Sequence, residues 1–213
     1  DDAPSASEGA GDARSSDAKT AAASALAAKV QAFYDQLEDY QARFVQAYTR
    51  RALSRTTEQS GVITVKKGGK VHWHYREPAE KLFVADGKTL WAYEPEVQQV
   101  TVDRNFSLAR FKSLAFLWGE GDLAESFEIR VPESHDFGPG ASALELRPKT
   151  DRTYRRLVLR VDPATGRVQE SVVHETGGNL NRLRFFEPQV NEGVPDAKFE
   201  FVPPTGTDVV EAR

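Results

Sequence analysis

The chain has 213 residues, a net charge of −4 at pH 7, and neither Cys nor Met. Without Cys it can form no disulfide, thiolate nucleophile or thiolate metal site. The near balance of 28 basic and 32 acidic residues argues against a nucleic-acid-binding surface, and no apolar run of about 18 residues is available to span a membrane. The length suits one all-β domain.

Two segments precede the first predicted strand. Residues 1–19 are rich in Ala, Ser, Gly and Asp and contain no large apolar side chain, which predicts a disordered leader before a single domain of residues 20–213. From about Thr20 to Leu37 the apolar residues recur every three or four positions, which predicts a helix that packs on a sheet. The apolar stripe of this helix consists of Leu26, Val30, Phe33, Tyr34 and Leu37. Because the chain begins with Asp1, we expect that a signal peptide has been removed from it.

After the helix the apolar period changes to two, as in strands. Turn signals such as Asp86-Gly87 and Asp162–Gly166 separate many short segments of this kind. The predicted strands are Tyr40–Tyr48, Thr57–Lys66, Lys70–Arg76, Lys81–Ala85, Lys88–Tyr93, Val97–Asp103, Phe127–Val131, Ala143–Arg147, Tyr154–Val161, Arg167–Glu175, Asn179–Phe186 and Lys198–Val202. This spacing favours an antiparallel barrel or a strongly curved sheet.

One helical segment interrupts the strands. Leu108, Phe111, Leu114, Ala115 and Trp118 follow helical spacing, and glycines after Trp118 end the run. The apolar stripe must be buried, and the concave face of the sheet is the nearest place for it. The pattern is compatible with a movable lid and with a permanent plug.

The polar residues do not form a recognisable catalytic or metal site. His72 and His74 share one face of a strand, but Val71, Trp73 and Tyr75 form the apolar face, so we expect both histidines to face solvent. The chain lacks the G-x-S-x-G motif of α/β-hydrolases and the phosphate-binding motif G-x-x-x-x-G-K-[ST]. We therefore expect no catalytic residue, no metal and no cofactor.

Three blocks resemble the LolA family of periplasmic outer-membrane lipoprotein carriers, over roughly residues 26–211. Lys67–Trp73 is similar to the basic–Pro–x–x–Phe–x–Trp block of that family, and Asp86–Pro95 to its DGK-x-LW-x-Y-x-P block. Phe199–Val209 resembles the closing F-x-F-x-PP-x-G-x-x-V. The resemblance implies a mainly β (α+β) fold, an incomplete antiparallel β-barrel with an N-terminal helix and an internal helical lid at Phe106–Trp118.

The resemblance also implies a function. The protein is expected to be a monomeric periplasmic chaperone, not an enzyme, that shields the acyl chains of lipoproteins in an apolar cavity and moves them from the inner to the outer membrane. The expected partners are acylated lipoproteins, an inner-membrane ABC-type release complex and an outer-membrane LolB-like receptor. The residues implied for the cavity and lid are Phe44, Val71, Trp73, Tyr75, Trp91, Phe106, Leu108, Phe111, Leu114 and Trp118.

Lys67 is implied as the lid latch. It stands where the family usually has an arginine, and Gly68 stands where it usually has proline. Lysine keeps the charge but loses the forked geometry of the guanidinium group, so we expect a weaker latch.

Two alternative functions fit the same resemblance. The first is a LolB-like receptor that receives lipoproteins, anchored by a lipid-modified Cys before Asp1 with residues 1–19 as its tether. The second is a LolA-like barrel that acts as a protein-interaction or envelope-stress sensor.

Overall fold

Twelve strands form one continuous sheet in the computed structural model, which describes residues 8–106, 121–133, 136–150 and 153–212. The strands are β1 (Asp39–Arg50), β2 (Arg55–Lys66), β3 (Lys70–Glu77), β4 (Lys81–Asp86), β5 (Leu90–Glu94), β6 (Gln99–Asp103), β7 (Phe127–Arg130), β8 (Ala143–Pro148), β9 (Tyr154–Val161), β10 (Val168–Glu175), β11 (Leu180–Val190) and β12 (Asp208–Glu211). Within these described residues, short 3-10 turns lie at Arg51–Leu53, Pro95–Val97 and Asp196–Phe199.

The order of the strands makes the sheet an open one. It runs β12-β6-β5-β4-β3-β2-β1-β11-β10-β9-β8-β7, so β1 and β11 join an N-terminal half to a C-terminal half. Neighbouring strands are antiparallel except β12, which pairs with β6 in parallel. The two outermost strands, β12 and β7, do not pair with each other. The predicted mainly β fold, with an unclosed antiparallel sheet, is confirmed.

The N-terminal helix α1 (Glu8–Asp35) packs against β7 and β8. It begins well before the predicted start at Thr20 and includes residues 8–19 of the predicted leader. Ala23, Ala27, Val30 and Tyr34 are buried at spacings of four, three and four residues. Among the described residues, none of the helices is both long enough and apolar enough to cross a lipid bilayer.

Apolar side chains are buried on both faces of the sheet. The main core lies on the inner face, between the sheet and α1, and contains Tyr40, Phe44, Ile63 and Leu157 among others. On the outer face of the N-terminal half, Val84, Val100 and Val102 are buried together with Phe199. This second core exists because the chain after β11 crosses back over β3 and β4.

The prediction of a strand at Lys198–Val202 was wrong, and β12 was not predicted. Residues Asp196–Phe199 form a 3-10 turn after Pro195, and the prolines at 203 and 204 have no amide to donate to a ladder. The large residues of this segment cover the outer face of the sheet instead of pairing with a strand. β12 has only four residues, all exposed, so it lacked the alternation by which strands are recognised.

Candidate functional site: an apolar cavity on the inner face

A cavity of about 120 Å³ lies between α1 and the inner face of the sheet. It is lined by side chains from the helix and from both halves of the sheet: Tyr34, Tyr40, Gln46, Ile63, Val65, Trp73, Leu157, Ser171, Val173, Asn181, Leu183 and Phe185. None of these described lining residues is charged. The lining is therefore suited to an apolar ligand with few polar groups.

The pairing of the strands explains why these residues meet. Ile63 of β2 faces Trp73 of β3, and Leu157 of β9 faces Val173 of β10, each pair directly opposite in the register. Directly opposed residues project to the same face of a sheet. The β1–β11 pairing then brings the two halves together, with Gln46 opposite Leu183.

Trp73 lines the cavity at β3, and two further aromatic rings pack behind it, those of Phe44 on β1 and Tyr75 on β3. The rings of Trp73 and Tyr75 are stacked, with centroids 5.6 Å apart and planes 6° apart. Phe44 meets both edge-on, at 5.5 Å from Trp73 and 5.0 Å from Tyr75. Phe44 is only 1% exposed. Such stacked and edge-to-face arrangements are favourable beyond the burial of their area, so this wall is well ordered.

A chain of hydrogen bonds makes one end of the cavity polar. The hydroxyl of Tyr75 donates to Oε1 of Gln46 at 2.9 Å, and Nε2 of Gln46 donates to Oδ1 of Asn181 at 2.9 Å. Burial raises the pKa of Tyr75 to about 12, so its hydroxyl keeps its proton and remains a donor. The cavity thus has an apolar body and a neutral polar end.

The indole nitrogen of Trp73 has no hydrogen-bond partner among the described residues. Trp73 lines the cavity, and its Nε1 atom is buried from solvent. Buried donors without a partner are uncommon in folded proteins, and one beside a cavity is available to a bound acceptor. The hydroxyl of Tyr40, another lining residue, is likewise buried without a partner among the described residues, so a ligand could satisfy either group.

The tyrosines contributed by α1 and the start of β1 are also neutral. Burial raises the pKa of both Tyr34 and Tyr40. The Tyr34 hydroxyl accepts a hydrogen bond from the amide of Val168 at 3.3 Å and so ties the helix to β10. The helix side of the cavity therefore adds no charge.

The structure places some of the predicted site residues around this cavity. Trp73 lines it, and Phe44 and Tyr75 form the wall behind Trp73. Val71 and Phe106 are buried in the same core but do not line the cavity. The remaining predicted lid residues, Leu108, Phe111, Leu114 and Trp118, lie outside the described residues, so the lid stays a prediction.

The placement of Trp91 in the cavity was wrong. Trp91 pairs with Val84 and Val102, which are buried on the outer face, and its ring lies 6.4 Å from that of Phe201. The segment Leu90–Tyr93 is apolar at every position, so alternation alone did not distinguish its inner side from its outer side.

The expectation that His72 faces bulk solvent was also wrong. His72 lies on the outer face but is half-buried, because the 3-10 turn Asp196–Phe199 packs over β3. His74 lies nearer the surface and its Nε2 is 2.7 Å from Glu80 Oε1. In the described part of the chain no group of His, Cys, Asp and Glu is arranged to hold a metal ion.

Lys67 lies in the turn between β2 and β3 and pairs with the N-terminal end of β1. Its Nζ is 3.3 Å from Glu38 Oε1, and its amide donates to the Glu38 carbonyl at 2.9 Å. The predicted latch concerns residues beyond Phe106 and stays a prediction. Gly68 packs against the next turn, where a Cβ on Gly87 would lie 2.3 Å from the Gly68 carbonyl oxygen.

The sequence did not predict the contribution of β9–β11 to the cavity. Leu183 lies between two arginines and so shows the alternation of a strand, whereas Leu157, Val173 and Phe185 each adjoin another apolar residue, so the alternation was only a partial signal. What the sequence lacked was the β1–β11 pairing, which brings these strands next to residues more than 100 positions away.

Comparison with known proteins assigns the family. The profile of the family described as outer membrane lipoprotein carrier protein LolA matches residues 35–202. The outer-membrane lipoprotein carrier protein of Alkalilimnicola ehrlichii is 32% identical over 182 residues, which cover 84% of this chain and 81% of that protein. The corresponding protein of Dechloromonas aromatica is 29% identical over 184 residues, covering 83% and 86%.

A solved structure agrees on the fold. An uncharacterized conserved protein from Thermus thermophilus superimposes with a TM-score of 0.54 at 15% identity, over 88% of this chain and 97% of that one. At that identity the likeness concerns the fold alone. The family profile and the relatives cover most of the folded part, and the chain therefore belongs to the LolA family of outer-membrane lipoprotein carrier proteins.

Proposed function

We propose that this protein carries acylated lipoproteins through the periplasm and holds their acyl chains in the cavity beside Trp73. The observation that supports this is the neutral, apolar lining with a polar end, which matches a fatty chain attached to an ester or amide. The names of the relatives point to the same cargo. We propose no catalytic role for the cavity.

The energetics of acyl chains explain why such a carrier is needed. At about 0.8 kcal/mol per buried CH₂, one sixteen-carbon chain is worth on the order of 10 kcal/mol of transfer free energy, and several chains add to this. Spontaneous escape from a membrane into water is therefore very slow. A carrier has to offer a compensating apolar surface at the moment of transfer.

The size of the cavity requires it to open on loading. Its volume of about 120 Å³ is below the roughly 300–1,000 Å³ of pockets that enclose a drug-sized ligand. We propose that movement of the predicted lid, Phe106–Trp118, enlarges it, with Leu108, Phe111, Leu114 and Trp118 contacting the chains. Lys67 serves as the latch in this proposal, while Val71 and Phe44 support the inner wall.

The transfer route forms the remaining part of the proposal. An ABC-type release complex of the inner membrane loads the carrier, and a LolB-like receptor of the outer membrane accepts the cargo by direct contact. Acceptance by a second protein avoids exposing the chains to water, so the route needs no large free energy of release.

Extraction of a lipopeptide from vesicles tests the proposal. The purified protein is mixed with vesicles that contain a fluorescent triacylated peptide, and soluble complexes are separated by flotation. We expect the peptide to move into the soluble fraction with the protein. Absence of soluble complex at any protein concentration would overturn the proposal.

A pair of serine variants connects extraction to the cavity. Ser171 lines the cavity, so Ser171→Leu fills part of the space with apolar atoms and should leave the fold intact. Ser24 is exposed on α1, and Ser24→Leu is the matched control. We expect Ser171→Leu to abolish extraction while Ser24→Leu retains it. Equal extraction by both variants would show that the acyl chains bind elsewhere.

A further inference from the structure

A second cleft, of about 730 Å³, lies on the outer face of the sheet at the end where β1, β9, β10 and β11 meet their turns. It is lined mostly by polar side chains: Thr49, Arg51, Ser54, Arg147, Arg155, Arg156, His174, Glu175, Gly178 and Leu180. Leu180 pairs directly with Thr49, and both project away from the inner cavity. The cleft is therefore separate from the acyl-chain site.

Two of its arginines are held in place by one buried carboxylate. Glu145 is 2% exposed, and its Oε1 accepts from Nε of Arg147 at 2.7 Å while its Oε2 accepts from Nη1 of Arg156 at 2.8 Å. Each guanidinium group keeps further N–H donors after these bonds. Glu145 thus fixes two cations side by side and leaves donors on both.

The other two arginines have no carboxylate partner among the described residues. Nη2 of Arg155 donates to the carbonyl of Thr176 at 2.9 Å. The side chain of Arg51 lies beside Gly178, where a Cβ would come within 3.1 Å of Arg51 Cδ. A side chain there would crowd Arg51, so glycine gives this arginine access to the cleft.

The charges of the cleft favour an anion. Four guanidinium groups face the carboxylates of Glu145 and Glu175, and a third carboxylate, that of Asp136, lies against His174, which leaves an excess of one positive charge. Glu175 is already engaged, because its Oε2 accepts from the Tyr48 hydroxyl and from Nδ2 of Asn179, each at 3.0 Å. Arginine forks match the geometry of phosphate oxygens, and pre-positioned forks lose little entropy on binding.

We propose that this arginine cleft binds a phosphate group, either free or as the headgroup of an anionic phospholipid. Arg147 and Arg156 form its fixed part, and Arg51 and Arg155 close on the anion from the turns. Because the cleft and the cavity lie on opposite faces of the sheet, the anion and an acyl chain can be bound at the same time.

His174 supplies an internal reporter of occupancy. Burial and the neighbouring Arg156 lower its pKa, against the opposing effect of Asp136, whose Oδ2 lies 3.4 Å from His174 Nε2. Glu145 also acts to raise it. An anion bound beside the ring stabilises the imidazolium form, so occupancy of the cleft should raise this pKa.

The experiment compares two double variants of equal charge. Arg51→Gln/Arg155→Gln removes the two arginines that lack carboxylate partners. Arg43→Gln/Arg104→Gln is the control, since these exposed residues pair with Glu187 and Glu211 away from the cleft. The probes are inorganic phosphate and glycerol phosphate, measured by calorimetry, and phosphatidylcholine vesicles with or without phosphatidylglycerol, measured by co-sedimentation.

We expect the cleft variant to lose at least about tenfold in affinity for the anionic probe and the control to lose little. We also expect phosphate to raise the pKa of His174, followed by NMR, in the wild type and not in the cleft variant. Binding of both free phosphate and anionic vesicles, or of vesicles alone, supports the proposal and identifies the source of the phosphate group.

Equal losses in the two double variants would overturn the proposal, because they would indicate a non-specific effect of net charge. Absence of binding to every anionic probe by the wild type would overturn it as well. Urea unfolding of both variants verifies that they remain folded. Lipopeptide extraction from neutral vesicles depends on the cavity on the opposite face of the sheet. A failure of anion binding can therefore be distinguished from a failure of the carrier function.

Discussion

The indole ring of Trp73 lies parallel to the ring of Tyr75, and the two residues differ in how their polar atoms are satisfied. The Tyr75 hydroxyl donates to Gln46, whereas Nε1 of Trp73 is buried without a partner among the described residues. The stack fixes the orientation of the indole, so the unsatisfied donor has a defined position in the cavity wall. On the proposal that acyl chains bind in this cavity, the carbonyl of an acyl ester is an acceptor suited to this donor.

The first prediction concerns this donor. Trp73→Phe keeps an aromatic ring in the stack and removes the N–H group. We expect the variant to bind a triacylated peptide with ester linkages about five- to tenfold more weakly, the effect of one hydrogen bond worth about 1–1.5 kcal/mol. An ether-linked analogue of the same chain length is a poor acceptor, and its affinity should change little. Fluorescence titration with both probes measures the difference.

Trp91→Phe is the control, because Trp91 packs against Phe201 on the outer face. It should leave both affinities as in the wild type. If Trp73→Phe weakens ester and ether probes equally, the indole contributes only apolar area, and the carbonyl contact does not exist.

Much of the sheet could be predicted from the sequence because the alternation of apolar residues is local. Val71, Trp73 and Tyr75 alternate with polar neighbours, and the structure places all three in the inner core. The same reasoning failed at Trp91, since the outer face of β5 is also covered. That cover comes from Phe199 and Phe201, more than 100 residues further along the chain.

The cavity was less predictable than the sheet for a related reason. Its lining depends on which strands become neighbours, and β1 pairs with β11 across nearly the whole domain. Asn181 and Leu183 line the cavity only because Tyr48 and Gln46 of β1 lie opposite them. Composition and periodicity contain no direct information about a pairing at that separation.

A second prediction concerns Asp39 at the start of β1. This carboxylate is 3% exposed and accepts amide hydrogen bonds from Glu192 at 3.0 Å, Gly193 at 3.0 Å and Val194 at 3.2 Å. Asp39→Ala leaves those amides without their acceptor. We expect it to lower the free energy of unfolding by about 2–3 kcal/mol, because hydrogen bonds to a buried charge are among the stronger ones. Urea unfolding monitored by tryptophan fluorescence measures the change.

Asp196→Ala is the matched control for Asp39→Ala. Asp196 lies 2.6 Å from Lys66 Nζ and 2.9 Å from Lys70 Nζ, yet its side chain is 62% exposed. Exposed ion pairs contribute little to stability, so the urea midpoint of this variant should stay near that of the wild type. A larger loss in Asp196→Ala than in Asp39→Ala would contradict the role given to the buried carboxylate.

A third prediction follows from the burial of His72. Desolvation, with the nearby positive charge of Lys198 and with His74, lowers the pKa of His72 to about 4. Its value in the unfolded chain is about 6.5, so between pH 6.5 and pH 4 the unfolded state binds the proton more readily. The stability associated with neutral His72 is present above pH 6.5 and is lost as the pH falls toward 4. After screening by solvent, the loss is on the order of 1–2 kcal/mol.

Urea unfolding of His72→Gln at pH 7 and at pH 4.5 checks this expectation. The variant should lose less stability on acidification than the wild type does. His74→Gln removes only the smaller effect of His74 on the pKa of His72, so it should reduce the loss on acidification less than His72→Gln does. If the free energy of unfolding falls by the same amount in His72→Gln and in the wild type between the two pH values, another group causes the pH dependence.

The fourth prediction tests the close approach of β2 and β3 behind the aromatic wall. Gly61 faces Phe44 across β1 and β2, and a Cβ at residue 61 would lie 1.9 Å from the carbonyl oxygen of His74. Gly61→Ala therefore has to push the β3 backbone away. We expect it to lower the free energy of unfolding by about 2–3 kcal/mol, as overpacking does in other cores.

Gly177→Ala is the control. At Gly177 a Cβ meets nothing within 4 Å, so this variant should leave the melting temperature nearly unchanged. Because β3 carries Trp73, Gly61→Ala should also weaken lipopeptide binding. Calorimetric melting and extraction assays on the two variants measure both effects, and equal melting temperatures would show that β3 moves aside without strain.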